Sequence, residues 1–272
     1  MIRQALSGAL YVMGALIGVA AFIYPFLQPA LQRSAVADEA TLSPLVTPLL
    51  TTVLLAVCLL ALLIEMQGAR ASAKVVAAMG MLVAAASVLR FVETAIPGPG
   101  GFSPVFVPII FAGYVFGARF GFLMGAFTLL VSALITGGVG PWLPYQMFVS
   151  AWVGFSAGLL PKVSGGKREV VILAAFAGLW GLLFGFITNL YFWPFFAGEL
   201  NMSWEPGATL ATGVSRYLTF YVATSLAWDL VRAAGNVALV LILGLPTIRA
   251  LRRFRNRFQF EFDEPVGLGA SR

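Results

Sequence analysis

The residues able to do chemistry in this chain are few, and nearly all sit in apolar surroundings. Asp229, Arg232 and Asn236 recur at spacings of three and four, which places them along one helix face beside Trp228. Ionisable groups in such a setting are costly and turn toward a partner or a cavity. An Asp229–Arg232 ion pair that stitches helices together fits this pattern. So does a polar floor on which Arg232 or Asn236 meets a ligand. Arg90 and Glu93, one turn apart, can pair with each other or guard an entrance. Trp142, Tyr145 and Gln146 sit where the loop GGVGPW, which ends in Trp142, enters an apolar run, and Asn189, Tyr191 and Trp193 close another. The aromatics suit either an interfacial belt or a binding site. The amides of Gln146 and Asn189 need a partner in an apolar helix and could orient the polar edge of a ligand.

These groups suit recognition better than catalysis. The chain has no histidine, which removes imidazole zinc sites, Ser-His-Asp and Cys-His triads and histidine proton relays. Its single cysteine, Cys58, lies in an apolar run, so no intrachain disulfide is possible. The segment SGGKRE around Lys167 lacks the upstream glycine of a phosphate-binding loop and has Arg168 where Ser or Thr would hold magnesium. The chain is therefore expected to be no enzyme, to need no cofactor or metal, and not to hydrolyse ATP by itself.

The elements that must position these groups are membrane helices. Hydrophobic residues make up 60% of the 272 residues, charged residues 10%, and the mean hydropathy is +0.93. From Pro104 to Pro161 apolar runs follow one another with breaks too short for a soluble subdomain, so the chain re-enters the bilayer almost at once. Eight spans are expected, centred in 6–27, 47–64, 74–91, 105–117, 120–136, 145–160, 170–192 and 217–245. The fourth is short for a bilayer and the eighth long, so one is expected to be broken or tilted and the other extended at an interface. The first span follows a basic start but is longer than a signal-peptide core, which favours a retained helix.

Of the 17 Lys and Arg residues, only Arg33, Arg90, Arg216 and Arg232 fall away from the face that the termini share. That bias places both termini in the cytoplasm and explains the net charge of +6 without nucleic acid. Arg249, Arg252, Arg253, Arg255 and Arg257 form a basic tail suited to anionic headgroups. The segments 93–103, 137–143 and 197–215 then face outward, rich in glycine and proline in the first two, and together could form a lid. The expected organisation is an N-terminal helix pair with its linker (1–72), a six-helix core (73–258) and a cytoplasmic tail (259–272). In the first core helix Ala73, Ala77, Gly80 and Ala84 recur at four, three and four, making a smooth stripe that lets another helix approach closely.

From about Ala73 to Phe258 the sequence resembles the substrate-binding S component of energy-coupling factor (ECF) vitamin transporters. The resemblance rests on the small-residue first core helix, the run GYVFGARFGFLMGAFTLLVSALITGGVGPWLPYQMF with the GLLP end that follows, and the final WDLVRAAGNVALVLILGLPTIRALRRF. It implies an all-α, multi-pass bundle in the cell membrane that binds a vitamin or related micronutrient from outside. A transmembrane T component and two cytoplasmic ATPases would be its partners. The third piece and the GPWLPYQM turn look most like cobalamin-type and unassigned members. In the family an AxxxA-type stripe on the first helix docks the T component, and Ala73 to Ala77 matches that spacing. The N-terminal helix pair is a departure from the six-span core. A stand-alone secondary transporter or small-solute channel is the rival reading, disfavoured because Asp229 is the only acid deep in a span.

Overall fold

The computed structural model describes residues 16–23, 25–26, 52–53, 56, 60, 73–95, 100–163, 166–196, 198–205 and 208–260. Among them every regular element is helical: α1 (Ala73–Ala95), α2 (Phe106–Phe116), α3 (Ala118–Thr136), α4 (Leu143–Leu159), α5 (Lys167–Phe192), a 3₁₀ turn (Trp193–Phe195), α6 (Leu210–Thr224) and α7 (Leu226–Phe260). Residues 16–23 are helical as well. The described helices include four that are long and apolar enough to cross a membrane, in α1, α3, α5 and α7. The second expected span, the linker 67–72 and Cys58 fall mostly or wholly outside the described residues.

The bundle is organised around its shortest member. At about 1.5 Å per residue α2 is roughly 16 Å long, half of a bilayer core. Nine of its eleven residues are buried, as expected for a helix that is apolar on every side. It packs chiefly on α3, α4 and α7, while α3 pairs with α4 and α5 with α7. Glycine sets the closeness of these contacts. A side-chain carbon on Gly113 or on Gly121 would fall 2.1 Å from the Gly154 carbonyl oxygen, and one on Gly154 would fall 2.0 Å from that of Gly121. Three backbones thus touch at one point. Gly125 against Ser150 and Gly158 against Ala118 extend the seam between α3 and α4. Bare backbone at four-residue spacing is how helices associate where lipid gives no hydrophobic drive. Gly117, at φ 100°, makes the one-residue turn from α2 into α3.

The expected span from Tyr217 to Leu245 is divided. Ser225, at φ −129°, separates α6 from α7, and α6 begins at Leu210 inside what reads as a loop. Thr209 caps α6 by accepting from the Thr212 amide at 3.2 Å. Gly213, Tyr217, Phe220 and Tyr221 give α6 a single buried stripe. α7 is 35 residues, roughly 52 Å, and carries the basic tail as an unbroken continuation through Pro246.

The N-terminal segment is packed on the core. Phe22 meets Tyr145 and Trp152, Phe26 meets Trp193 and Tyr217, and Trp204 donates to the Pro25 carbonyl at 2.8 Å. This part of the chain therefore covers α4 and α6.

The α1–α2 connection is clamped to α7. Gly101 holds φ 83°, and a side-chain carbon there would fall 2.1 Å from the Trp228 carbonyl oxygen. Gly101→Ala combines a strained backbone with a backbone clash and is expected to destabilise the protein by about 1–3 kcal/mol. Thermal unfolding in detergent, followed against wild type, measures it. An unchanged midpoint would mean that the loop sits elsewhere.

Candidate functional site

An open cavity of about 530 Å³ lies where α1, α3 and α4 approach the end of the bundle that holds the α1–α2, α3–α4 and α5–α6 connections. Its wall is made by Arg90, Phe91, Thr94 and Ala95 of α1, Leu129, Ala133, Ile135 and Thr136 of α3, and Gly138, Trp142 and Gln146 around the start of α4. Arg90, Trp142 and Gln146, three of the residues that the sequence singles out for a ligand, are brought together there. Trp142 is 44% exposed, and its indole donates to the Gly138 carbonyl at 3.2 Å, closing the turn that brings both residues to the wall.

The other candidates stand elsewhere. Tyr145 is buried, its ring 4.4 Å from that of Tyr191 and edge-on to Phe22. Trp193 is buried as well, between Phe26 and Tyr217, and its indole donates to Met202 at 2.8 Å. Both are parts of an aromatic layer that joins α4, α5, α6 and the N-terminal segment. Asn189 is half-buried on α5 and does not line the cavity. Arg232 pairs with Asp229, whose other oxygen accepts from the Tyr221 hydroxyl at 2.9 Å. Gly185 makes room for this carboxylate, since a side-chain carbon there would fall about 2 Å from both of its oxygens. Asn236, one turn further on, is fully buried, and neither of its polar atoms has a hydrogen-bond partner among the described residues.

These groups are nonetheless linked to the cavity. Glu93 accepts from Ser103 at 2.8 Å, and both Glu93 and Arg232 act on Arg90 through space. Charges of alternating sign thus run from the cavity wall at Arg90, through Glu93 and Arg232, to Asp229 at the α6–α7 break. Thr94 and Thr136 were not singled out from the sequence. The signal for Thr94 was its position one turn after Arg90, and for Thr136 its place at the end of α3 before the glycine turn.

At the opposite end a second polar cluster holds the bundle shut. Glu169, 1% exposed, receives both guanidinium nitrogens of Arg252, one at 3.1 Å, and the Tyr114 hydroxyl at 2.6 Å. Lys162 donates to the Tyr114 carbonyl and stands 4.2 Å over that ring, while Arg255 donates to the Val115 carbonyl at 2.8 Å. The carbonyls left open where α2 stops are thereby satisfied. Burial, together with Arg255 and Arg252, holds the Lys162 ammonium below the ordinary lysine range. Arg252 and Arg255 turn inward, leaving Arg249, Arg253 and Arg257 as the exposed basic face.

The family model described as "ECF transporter, substrate-specific component" matches residues 74–244. This chain belongs to that family. No curated protein and no solved structure matches it. The S component is accordingly a multi-pass integral membrane protein with a substrate-binding role, from a family of transporter components and not of enzymes. The matched region starts at the second residue of α1 and ends inside α7, so it takes in every helix that lines the cavity.

Proposed function

We propose that this S component captures a compact vitamin or related micronutrient from outside the cell in the cavity walled by α1, α3 and α4. The single observation that carries this reading is the cavity itself, with Arg90, Trp142 and Gln146 on its wall. Its volume of about 530 Å³ falls in the ~300–1,000 Å³ range of small-molecule sites. A corrinoid with its nucleotide loop is larger than such a site takes, so the volume favours compact vitamins over cobalamin. The charge bias along the sequence supports an outward-facing mouth and cytoplasmic termini. Transport would depend on a T component and two ATPases, in agreement with the lack of a phosphate-binding loop at Lys167. Ala73, Ala77, Gly80 and Ala84 are the proposed docking stripe; all four are exposed.

The test is native mass spectrometry of the protein in mild detergent, first for carried ligand and then with a panel of vitamins that includes cobalamin. A bound vitamin is expected, with affinity about tenfold weaker in Gln146→Ala, the loss of one hydrogen bond. No binding across the panel, together with ATP-independent solute flux by the protein alone in liposomes, would overturn the reading in favour of a stand-alone transporter.

A further inference from the structure

We infer that the substrate carries a carboxylate, which Arg90 and Gln146 bind together. The inference rests on the α1–α3–α4 cavity being the substrate site. Its argument is an inventory of hydrogen-bonding capacity on the wall. Thr94 spends its hydroxyl proton on the Phe91 carbonyl at 2.8 Å, and Thr136 spends its own on Ser132 at 2.8 Å. The Trp142 indole is engaged with Gly138. The donors left to a ligand are the Arg90 guanidinium and the Gln146 amide, and no acid stands on the wall.

Arg90 has no hydrogen bond or ion pair among the described residues; Glu93 and Arg232 reach it only through space. Glu93 shares its carboxylate with Ser103, and Asp229 is taken by Arg232 and Tyr221. A guanidinium on a helix long and apolar enough to cross the bilayer thus has no counter-ion in direct contact among the described residues, and its fork of donors matches a carboxylate. The start of α4, which brings Gln146 and Trp142, adds its positive helix end on the same side. Arg90 is the one charged residue on the wall itself, with Glu93 set behind it, so a ligand there meets one cation and one amide, which suits a monoanion. A phosphate monoester would bring two negative charges to a wall with a single cation.

The experiment compares acids with their neutral counterparts on the full-length protein in nanodiscs: nicotinate with nicotinamide, biotin with biotinamide, pantothenate with panthenol and lipoate with lipoamide. Binding is read by calorimetry. One acid is expected to bind about 10- to 100-fold tighter than its neutral form, the worth of a charge-assisted hydrogen bond. Arg90→Gln is expected to erase that preference while leaving the neutral form's affinity within about twofold, which a merely unfolded variant could not do. Equal binding of acid and neutral forms, or tight binding of an uncharged vitamin such as riboflavin that Trp142→Ala weakens, would overturn the carboxylate and leave the cavity as the site. No binding of any compound would overturn the site reading itself and the carboxylate with it.

Discussion

Arg252→Ala is expected to cost about 3–5 kcal/mol of stability, among the largest effects of any single substitution in the described residues, because it leaves Glu169 charged and buried with only the Tyr114 hydroxyl. The pair joins the first turn of α5 to the last turns of α7 across 83 residues of sequence, and Tyr114 brings in the end of α2. Three helices therefore lose a common anchor at once. Removing both charges in Glu169→Leu/Arg252→Met should be milder than either single change, since no orphaned ion remains. Unfolding midpoints or thermal half-lives in one detergent, measured for the singles and the double, give the coupling. Additive losses would mean that the two side chains do not share the buried contact.

That anchor shows what the sequence hides. KRE at the start of α5 and the arginine-rich end of α7 read as surface charge flanking membrane spans, and for Arg249, Arg253 and Arg257 exposure agrees. Nothing local marks Glu169 and Arg252 as partners, because ion pairing across 83 residues is decided by how α5 and α7 pack. The break at Ser225 was equally hidden. Tyr217 to Leu245 is apolar on both sides of it, and Ser225 is a weak breaker beside the glycines and prolines that mark the other turns. Conversely, the helices with boundaries in GARF, GGVGPW and GLLP were legible because those turns need the backbone freedom the residues supply; Gly117 and Gly137 both take positive φ.

The site was legible in part for a related reason. Arg90, Trp142 and Gln146 stand at helix ends next to readable turns, so sequence position already put them at one end of the bundle. Tyr145 and Trp193 occupy similar positions, yet pack inward. An aromatic side chain at a helix end serves a cavity or a core equally well, and here the N-terminal segment decides. Phe22 and Phe26 close over them, a contact between residues more than 100 positions apart. The first segment of the helix pair expected as an appendage thus contributes to the wall behind the α4 start.

If the α1 stripe docks the T component as proposed, Gly80→Leu is expected to reduce substrate uptake in cells at least about tenfold, while binding of the substrate by the purified S component stays within about twofold. The two halves of this outcome come from the geometry of α1. Its buried residues, Ala78, Val83, Ala86 and Ser87, face the bundle and pack with α3. Ala73, Ala77, Gly80 and Ala84 are exposed, and a side-chain carbon on Gly80 would meet nothing within 4 Å among the described residues. A leucine there has open space in the isolated chain and replaces a poor helix former with a good one, so stability should hold or rise slightly. Against a partner helix the same leucine holds the two backbones apart, where close approach is the main source of association in lipid. Uptake of radiolabelled substrate, co-purification of the T component and ligand affinity of the variant are the three readings. Normal uptake and normal co-purification would overturn the proposed docking surface on this face of α1. Lost ligand binding would instead show that the stripe supports the fold of the cavity, whose wall begins at Arg90, ten residues further along the same helix.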